Sequence, residues 1–232
     1  MKLGLFTDCH YSSAELTCGR RRCNQSLRKI EEAMNYFSDE ACDLVLCLGD
    51  LLDKEKTLEE EANNLKAVAL LLDRYSVPMM FVMGNHDGFS FQKDEFYEIL
   101  GKDRRPKNME ADGKTLIFLD ACYYTDGVAY CHDRPDWKNS FYPNLAELKD
   151  LLQKATGDVY VFLHQNLEPQ AEPNHRVKNG DEVIRILEES GKVKKVFQGH
   201  FHPGNKVEHN GIEYVTFPAM CESENCFFTI DI

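Results

Sequence analysis

Five short apolar segments of this chain each stop on residues that bind metals or move protons, and that repetition limits the fold more than any other feature. Leu44 to Asp53, LVLCLGDLLD, shows the pattern in full. An apolar run of this length bounded by a turn signal reads as a buried strand, and Gly49 lets the backbone turn sharply to deliver Asp50 and Asp53 into the following loop. Leu3–Thr7 ends in the same way on Asp8-Cys9-His10, and Met79–Met83 on Gly84-Asn85-His86-Asp87. Val159–Leu163 ends on His164, and Val196–Gln198 on Gly199-His200-Phe201-His202. Strand ends of open α/β sheets are where ligand sites gather. A single histidine is ordinarily a satisfied core or surface residue, but chance does not place a ligand-type side chain after each of five apolar strands.

Helical spacing fills the intervals. Leu27, Ile30, Ala33, Met34 and Phe37 mark one buried face of a helix from about Asn24 to Glu40. Thr57 with Glu60 forms a capping-box signal for a second helix, carried by Leu65, Val68, Ala69, Leu72 and Tyr75 and stopping before Pro78. Shorter helices are expected near Gln92–Leu100, Asn144–Thr156 and Gly180–Ser190. Asp112-Gly113 and Asn210-Gly211 are hairpin turns, the second between Lys206–His209 and Ile212–Phe217, and Phe227–Ile232 reads as a closing strand. Strands alternating with helices, followed by hairpins, imply an α/β arrangement of mixed sheets with helices on their outer faces, in a single domain over residues 1–232. A long irregular stretch, Asp120 to Pro143, carries Tyr123, Tyr124, Tyr130, His132, Trp137, Phe141 and Tyr142. Aromatic residues in such a loop form a satellite core or a stacking surface for a base.

Composition narrows the partners. The formal net charge of −12 disfavours nucleic acid and anionic membranes, yet leaves room for a small phosphate ester if bound cations dominate the local field. No segment approaches the roughly 18 apolar residues of a membrane span, and Asp8 and His10 interrupt the N-terminal apolar run before it reaches the length of a secretory signal. Nine cysteines without a C-x-x-C pair suggest reduced thiols and a cytoplasmic protein, for which the sequon Asn24-Gln25-Ser26 has no meaning.

The candidate donors are Asp8, His10, Asp50, Asn85, His164, His200 and His202, with His86 and Asp53 beside them. Oxygen and imidazole donors without a thiolate suit Mn, Fe, Zn or Ni ions rather than calcium. Alternation along an extended segment points Cys9 away from Asp8 and His10, toward the core. Seven donors exceed one ion and suit two divalent or trivalent transition-metal ions, provided one carboxylate is shared.

These motifs, Asp8-x-His10, Gly49-Asp50-x-x-Asp53, Gly84-Asn85-His86-Asp87, His164 and Gly199-His200-x-His202, resemble in order and spacing the five-motif signature of the calcineurin-like metallophosphoesterases. The resemblance implies a four-layer β-sandwich of two mixed sheets flanked by helices. It assigns Asp8, His10, Asp50 and His202 to one metal, and Asp50, Asn85, His164 and His200 to the other. Two such ions bind and acidify a bridging water, and the resulting hydroxide attacks phosphorus in line with the leaving group. His86 resembles the family's general acid, with Asp53 orienting it.

A weaker local resemblance joins Gly19-Arg20-Arg21-Arg22 and Asn24-Gln25-Ser26-Leu27-Arg28 to the manganese-dependent ADP-ribose/CDP-alcohol diphosphatase branch. Arg20, Arg21 and Arg22 are therefore candidates to clamp a second phosphate. The reading is a hydrolase of a small phosphodiester or nucleotide diphosphate. The alternatives are a phosphomonoesterase, including a phosphoprotein phosphatase, and a non-catalytic scaffold of the same fold. The family's protein phosphatases carry longer motifs, which this chain lacks: Lys54-Glu55 follows Asp53, and Asp87 stands where they have Glu. A DNA nuclease is disfavoured by charge. A scaffold would lack several donors, and this chain lacks none.

Overall fold

The computed structural model describes residues 1–136 and 139–232. Trp137 of the aromatic stretch lies outside the described residues.

Strands β1 (Lys2–Phe6), β2 (Leu44–Cys47) and β3 (Met79–Phe81) run parallel, and the closing strand β10 (Phe227–Asp231) pairs antiparallel with β1. The order in this sheet is β10-β1-β2-β3. The second sheet has the order β4-β5-β6-β7-β9-β8. Its parallel centre is β5 (Lys114–Phe118), β6 (Asp158–Phe162), β7 (Val193–Gln198) and β9 (Ile212–Thr216). The hairpin strands β4 (Met109–Ala111) and β8 (Asn205–His209) lie antiparallel at its edges. Both sheets are mixed and covered by helices, as expected from the alternation of elements and from the resemblance.

The two-residue period of the strands sorts their side chains into layers. Leu3, Leu5, Leu44 and Leu46 face Leu116, Tyr160, Phe162 and Phe197 between the sheets. Phe118, Phe162 and Phe197 stack across neighbouring strands at 5.2 Å spacings, which fills this layer with rigid rings. Phe6, Val45, Cys47 and Phe81 point the other way, against helices α1 (Ser26–Asp39), α2 (Leu58–Leu72) and α4 (Lys93–Leu100). Val159, Val161 and Val196 meet α5 (Leu145–Lys154) and α6 (Gly180–Ser190) on the far side. Covering on both faces explains why β2, β1 beyond Lys2 and β6 beyond Asp158 are apolar, with no polar face in their sequence.

The helix starts obey local chemistry. Thr57 accepts from the Glu60 N–H while the Glu60 carboxylate accepts from the Thr57 N–H, the expected capping box of α2. Among the elements the sequence pattern misses, the segment after Gly84, expected as loop, is a short helix, α3 (Asn85–Ser90). Its Asp87 side chain accepts from the N–H groups of Gly84 and Leu52, tying the third strand-end loop to the second. On α1 the buried face is Ser26, Lys29, Ile30, Ala33, Met34 and Phe37, with Leu27 only partly covered. Lys29 is buried because its ammonium donates to the carbonyls of Met220 and Ser223, which anchors the segment leading into β10. Among the described residues no helix is long and apolar enough to cross a membrane.

Candidate metal centre

The loops that follow β1, β2, β3, β6 and β7 meet at one end of the sandwich. Their approach is close enough to require glycine: a Cβ on Gly84 would lie 2.1 Å from Asp50 Oδ1, and one on Gly199 2.1 Å from Thr7 Oγ1. Asp8, His10, Asp50 and His200 adopt positive φ angles of 51°, 46°, 51° and 66°, a left-handed backbone that costs non-glycine residues energy and that packed surroundings must hold in place.

Asp8, Asp50, His164 and His202 are each fixed through one side-chain atom and present the other. The Asp8 Oδ2 accepts from Thr7 Oγ1 at 2.6 Å and from the His200 N–H at 2.9 Å. Its Oδ1 has no hydrogen-bond partner and faces His202 Nε2 at 3.5 Å and His10 Nε2 at 3.8 Å. Asp50 Oδ1 accepts from the His86 N–H at 2.8 Å, which leaves Oδ2 between His164 Nε2 at 3.3 Å and His10 Nε2 at 3.6 Å. His164 Nδ1 donates to the Leu48 carbonyl at 2.7 Å, so its orphaned Nε2 is the tautomer's acceptor. Asn85 Oδ1 is likewise buried without a hydrogen-bond partner. The His10 and His202 Nε2 atoms are 3.2 Å apart.

Donor atoms separated by 3.2–3.8 Å are spaced as an ion about 2.0–2.2 Å from each would hold them. His10, Asp50 and His86, and Asp50 with His164 and His200, form clusters whose donor atoms lie within 4.8 Å of one another. The expected donors therefore come together, with Asp50 common to both clusters, and the residues present fit two cations.

The electrostatics agree. Burial and the neighbouring His86 push His10 down to about 4, which keeps its imidazole neutral and able to ligate. His200 is held well below its ordinary value by burial. Burial opposes a charge on His164, yet the Asp50 carboxylate beside it raises it to about 10. The carboxylates thus demand positive charge, which a cation supplies in place of a proton.

His86 and Asp53 sit at the edge of this cluster. His86 Nδ1 is 3.1 Å from Asp53 Oδ1, and its side chain is 28% exposed, so the ring opens toward solvent while one nitrogen is held. Burial opposes protonation of His86, but the charge of Asp50 and the hydrogen bond to Asp53 raise its pKa. Asp53 is also 3.5 Å from Arg21 Nη1.

A cavity of about 650 Å³ covers the centre, lined among others by the cationic Arg20, Arg21 and Lys54 and by the rings of Phe89, Tyr130, His175 and Phe201. Arg22 corrects the expectation of three arginines at the site: it turns to the surface and pairs with Glu224 at 3.1 Å, outside the cavity wall. The aromatic loop forms the satellite core expected of it, since Tyr124 and Tyr130 pack with Cys122 and with Phe89 of α3, and Tyr130 also lines the cavity. A larger cavity of about 790 Å³, near Lys93, Tyr97 and Tyr123, contains none of the candidate donors, so donor chemistry rather than size locates the centre.

Two residues at the centre carry no signal in the sequence. Cys221 Sγ lies within 4.8 Å of ring nitrogens of His10 and His202, and the Glu222 carboxylate bonds His202 Nδ1. They follow the apolar segment Phe217–Met220 and belong to none of the strand-end motifs.

A family model described as calcineurin-like phosphoesterase matches residues 1–204. A 3',5'-cyclic adenosine monophosphate phosphodiesterase of Haemophilus influenzae is 26% identical over 235 residues, covering 95% of this chain and 77% of that one. A probable cyclic nucleotide phosphodiesterase of Fibrobacter succinogenes is 24% identical over 215 residues, covering 87% of this chain and 73% of the relative. A solved dimetal phosphatase from Danio rerio has the same fold, with a TM-score of 0.84 at 20% identity over 98% of this chain and 91% of its own.

Proposed function

Because the chain belongs to the calcineurin-like phosphoesterase family and is a metal-dependent phosphoric ester hydrolase, we propose that it hydrolyses a small phosphodiester or nucleotide diphosphate at a centre of two ions sharing Asp50. The observation that carries this reading is the position of Asp50 Oδ2, 3.3 Å from His164 Nε2 and 3.6 Å from His10 Nε2 while Oδ1 is occupied by the His86 N–H. One oxygen is thereby left for two neighbours. Asp8, His10, Asp50 and His202 would hold one ion, and Asp50, Asn85, His164 and His200 the other. Manganese, iron, zinc and nickel all suit these donors. When bound, the ions neutralise phosphoryl oxygens and supply an acidified water as nucleophile.

The chain's own groups do the rest. Asp53 holds His86 by Nδ1 and favours its charged form, so the opposite nitrogen carries a proton toward the leaving oxygen. Arg20 and Arg21 line the cavity with guanidinium groups, whose planar forks suit a second phosphate. Phe89, Tyr130, His175 and Phe201 offer apolar and π surface beside it. A cavity of about 650 Å³ takes a small ester rather than a folded protein surface. The similarity to the cyclic nucleotide phosphodiesterase of Haemophilus influenzae and the probable one of Fibrobacter succinogenes also favours a diester over a phosphoprotein. Nine free thiols support a reducing, cytoplasmic setting.

The deciding experiment is a substrate panel on Mn²⁺-loaded protein comparing an aryl monoester, an aryl diester, cyclic nucleotide, ADP-ribose and CDP-alcohol. The expected result is a higher kcat/KM for a diester or diphosphate than for the monoester. A clear preference for the monoester would replace the proposal with a phosphomonoesterase.

A further inference from the structure

We infer that Cys221 is a thiolate ligand of the metal position formed by Asp8, His10, Asp50 and His202, which makes that position softer than the Asp50–Asn85–His164–His200 position. The inference rests on the dinuclear reading above and extends it to a residue outside the five strand-end motifs.

The sulfur is built into the position rather than lying near it. Cys221 is fully buried, and its Sγ lies within 4.8 Å of ring nitrogens of both His10 and His202. A shared zinc ion, about 2.3 Å from sulfur and about 2.1 Å from nitrogen, spans a separation of that order. The unpartnered Asp8 Oδ1, itself fully buried, aims at the same two imidazoles. Other thiols nearby are differently engaged: Cys9 Sγ contacts Met220 Sδ at 3.5 Å, and Cys23 Sγ meets Thr17 Oγ1 at 3.2 Å.

The backbone around Cys221 is held on every side. Its N–H donates to the Asp8 carbonyl at 3.2 Å, the Met220 N–H to Thr7 at 3.0 Å and the Ala219 N–H to His202 at 3.0 Å. Lys29 clamps the carbonyls of Met220 and Ser223, and Glu222 fixes His202 through Nδ1. One short segment therefore places the thiol, orients an imidazole ligand and follows the Asp8 loop.

On ligation the S–H bond breaks, the proton passes to solvent and the sulfur lone pair forms the bond to the ion. Thiolate favours Zn²⁺, Co²⁺ and Fe²⁺ over Mn²⁺, whereas the second position, with two oxygen donors, two imidazoles and no sulfur, accepts Mn²⁺ more readily than the first. A centre built this way takes unlike ions at its two positions.

The test is X-ray absorption on the Zn²⁺-loaded full chain, together with the near-ultraviolet spectrum of the Co²⁺-loaded chain and of Cys221→Ser. The expected result is a sulfur shell at about 2.3 Å averaging about half a sulfur per zinc. A sulfur-to-cobalt charge-transfer band should appear in the wild type and be lost in Cys221→Ser, which should also shift competition between Zn²⁺ and Mn²⁺ toward Mn²⁺. Two bound ions with only nitrogen and oxygen neighbours overturn the inference and leave the dinuclear reading intact, as does a band that persists in Cys221→Ser. Failure to bind either ion overturns both. The absorption measurement on the wild type decides the matter even if the variant does not fold.

Discussion

His86 and Asp53 form the residue pair on which turnover should depend most. With Nδ1 held by Asp53 and the ring 28% exposed, His86 faces the substrate cavity. Its donor atoms also lie within 4.8 Å of His10 and Asp50, so the alternative role is a third imidazole ligand. The two roles separate in one variant: His86→Ala should lower kcat by about 10²- to 10⁴-fold, the range for general acid catalysis, with two ions still found by elemental analysis. Loss of bound metal would make His86 a ligand. The sign of a pH effect follows from the same contacts. Burial lowers the His86 pKa, while Asp50 and Asp53 together raise it above its ordinary value, so the acid form persists to higher pH than an isolated imidazole would allow. Removing one of those carboxylates weakens that hold. Asp53→Asn should therefore move the alkaline limb of the kcat/KM profile to lower pH, a change read directly from a pH series.

At the scale of elements, the centre depends on loops packed closer than side chains normally permit. A methyl group on Gly84 would stand 2.4 Å from the Asp50 backbone nitrogen as well as 2.1 Å from its Oδ1. The contact with the backbone nitrogen cannot be relieved by a rotamer, and a rotamer that relieved the other would turn the Asp50 carboxylate away from its place in the centre. Gly84→Ala is expected to keep the far-ultraviolet circular dichroism of the sheets while losing tightly bound metal, as measured by dialysis and elemental analysis. Such elements were open to reading from sequence where they follow a period. The apolar runs Leu3 to Phe6 and Val159 to Phe162 and the helical repeat of Ile30, Ala33, Met34 and Phe37 are local patterns, and the structure follows them. The donors could be located because each ends a strand. Three things could not be read. The helical turn at Asn85–Ser90 arises from Asp87 accepting the N–H groups of Gly84 and Leu52, and the latter bond joins loops 35 residues apart. The outward turn of Arg22 depends on Glu224, 202 positions away. Cys221 and Glu222 reach the centre only because Lys29 and the Asp8 loop hold their segment there. Each is a long-range contact, to which hydropathy patterns are blind.

For the whole molecule, the centre concentrates the buried carboxylates Asp8, Asp50 and Asp53 at the junction of both sheets, so metal binding and folding are coupled. An ion present at 100 times its dissociation constant adds about 2.7 kcal/mol to stability. Chelation should therefore lower the thermal midpoint measured by calorimetry, and adding back Mn²⁺ or Zn²⁺ should restore it. The size of the shift should depend on free metal concentration. The claim that Asp50 is shared by two ions is tested most directly by counting metal ions per chain, by elemental analysis, in the wild type and in Asp50→Ala after loading with Mn²⁺ and removal of excess. The expected result is close to two ions in the wild type and loss of both together in the variant. At most one ion in the wild type, or loss of a single ion in the variant, would contradict it.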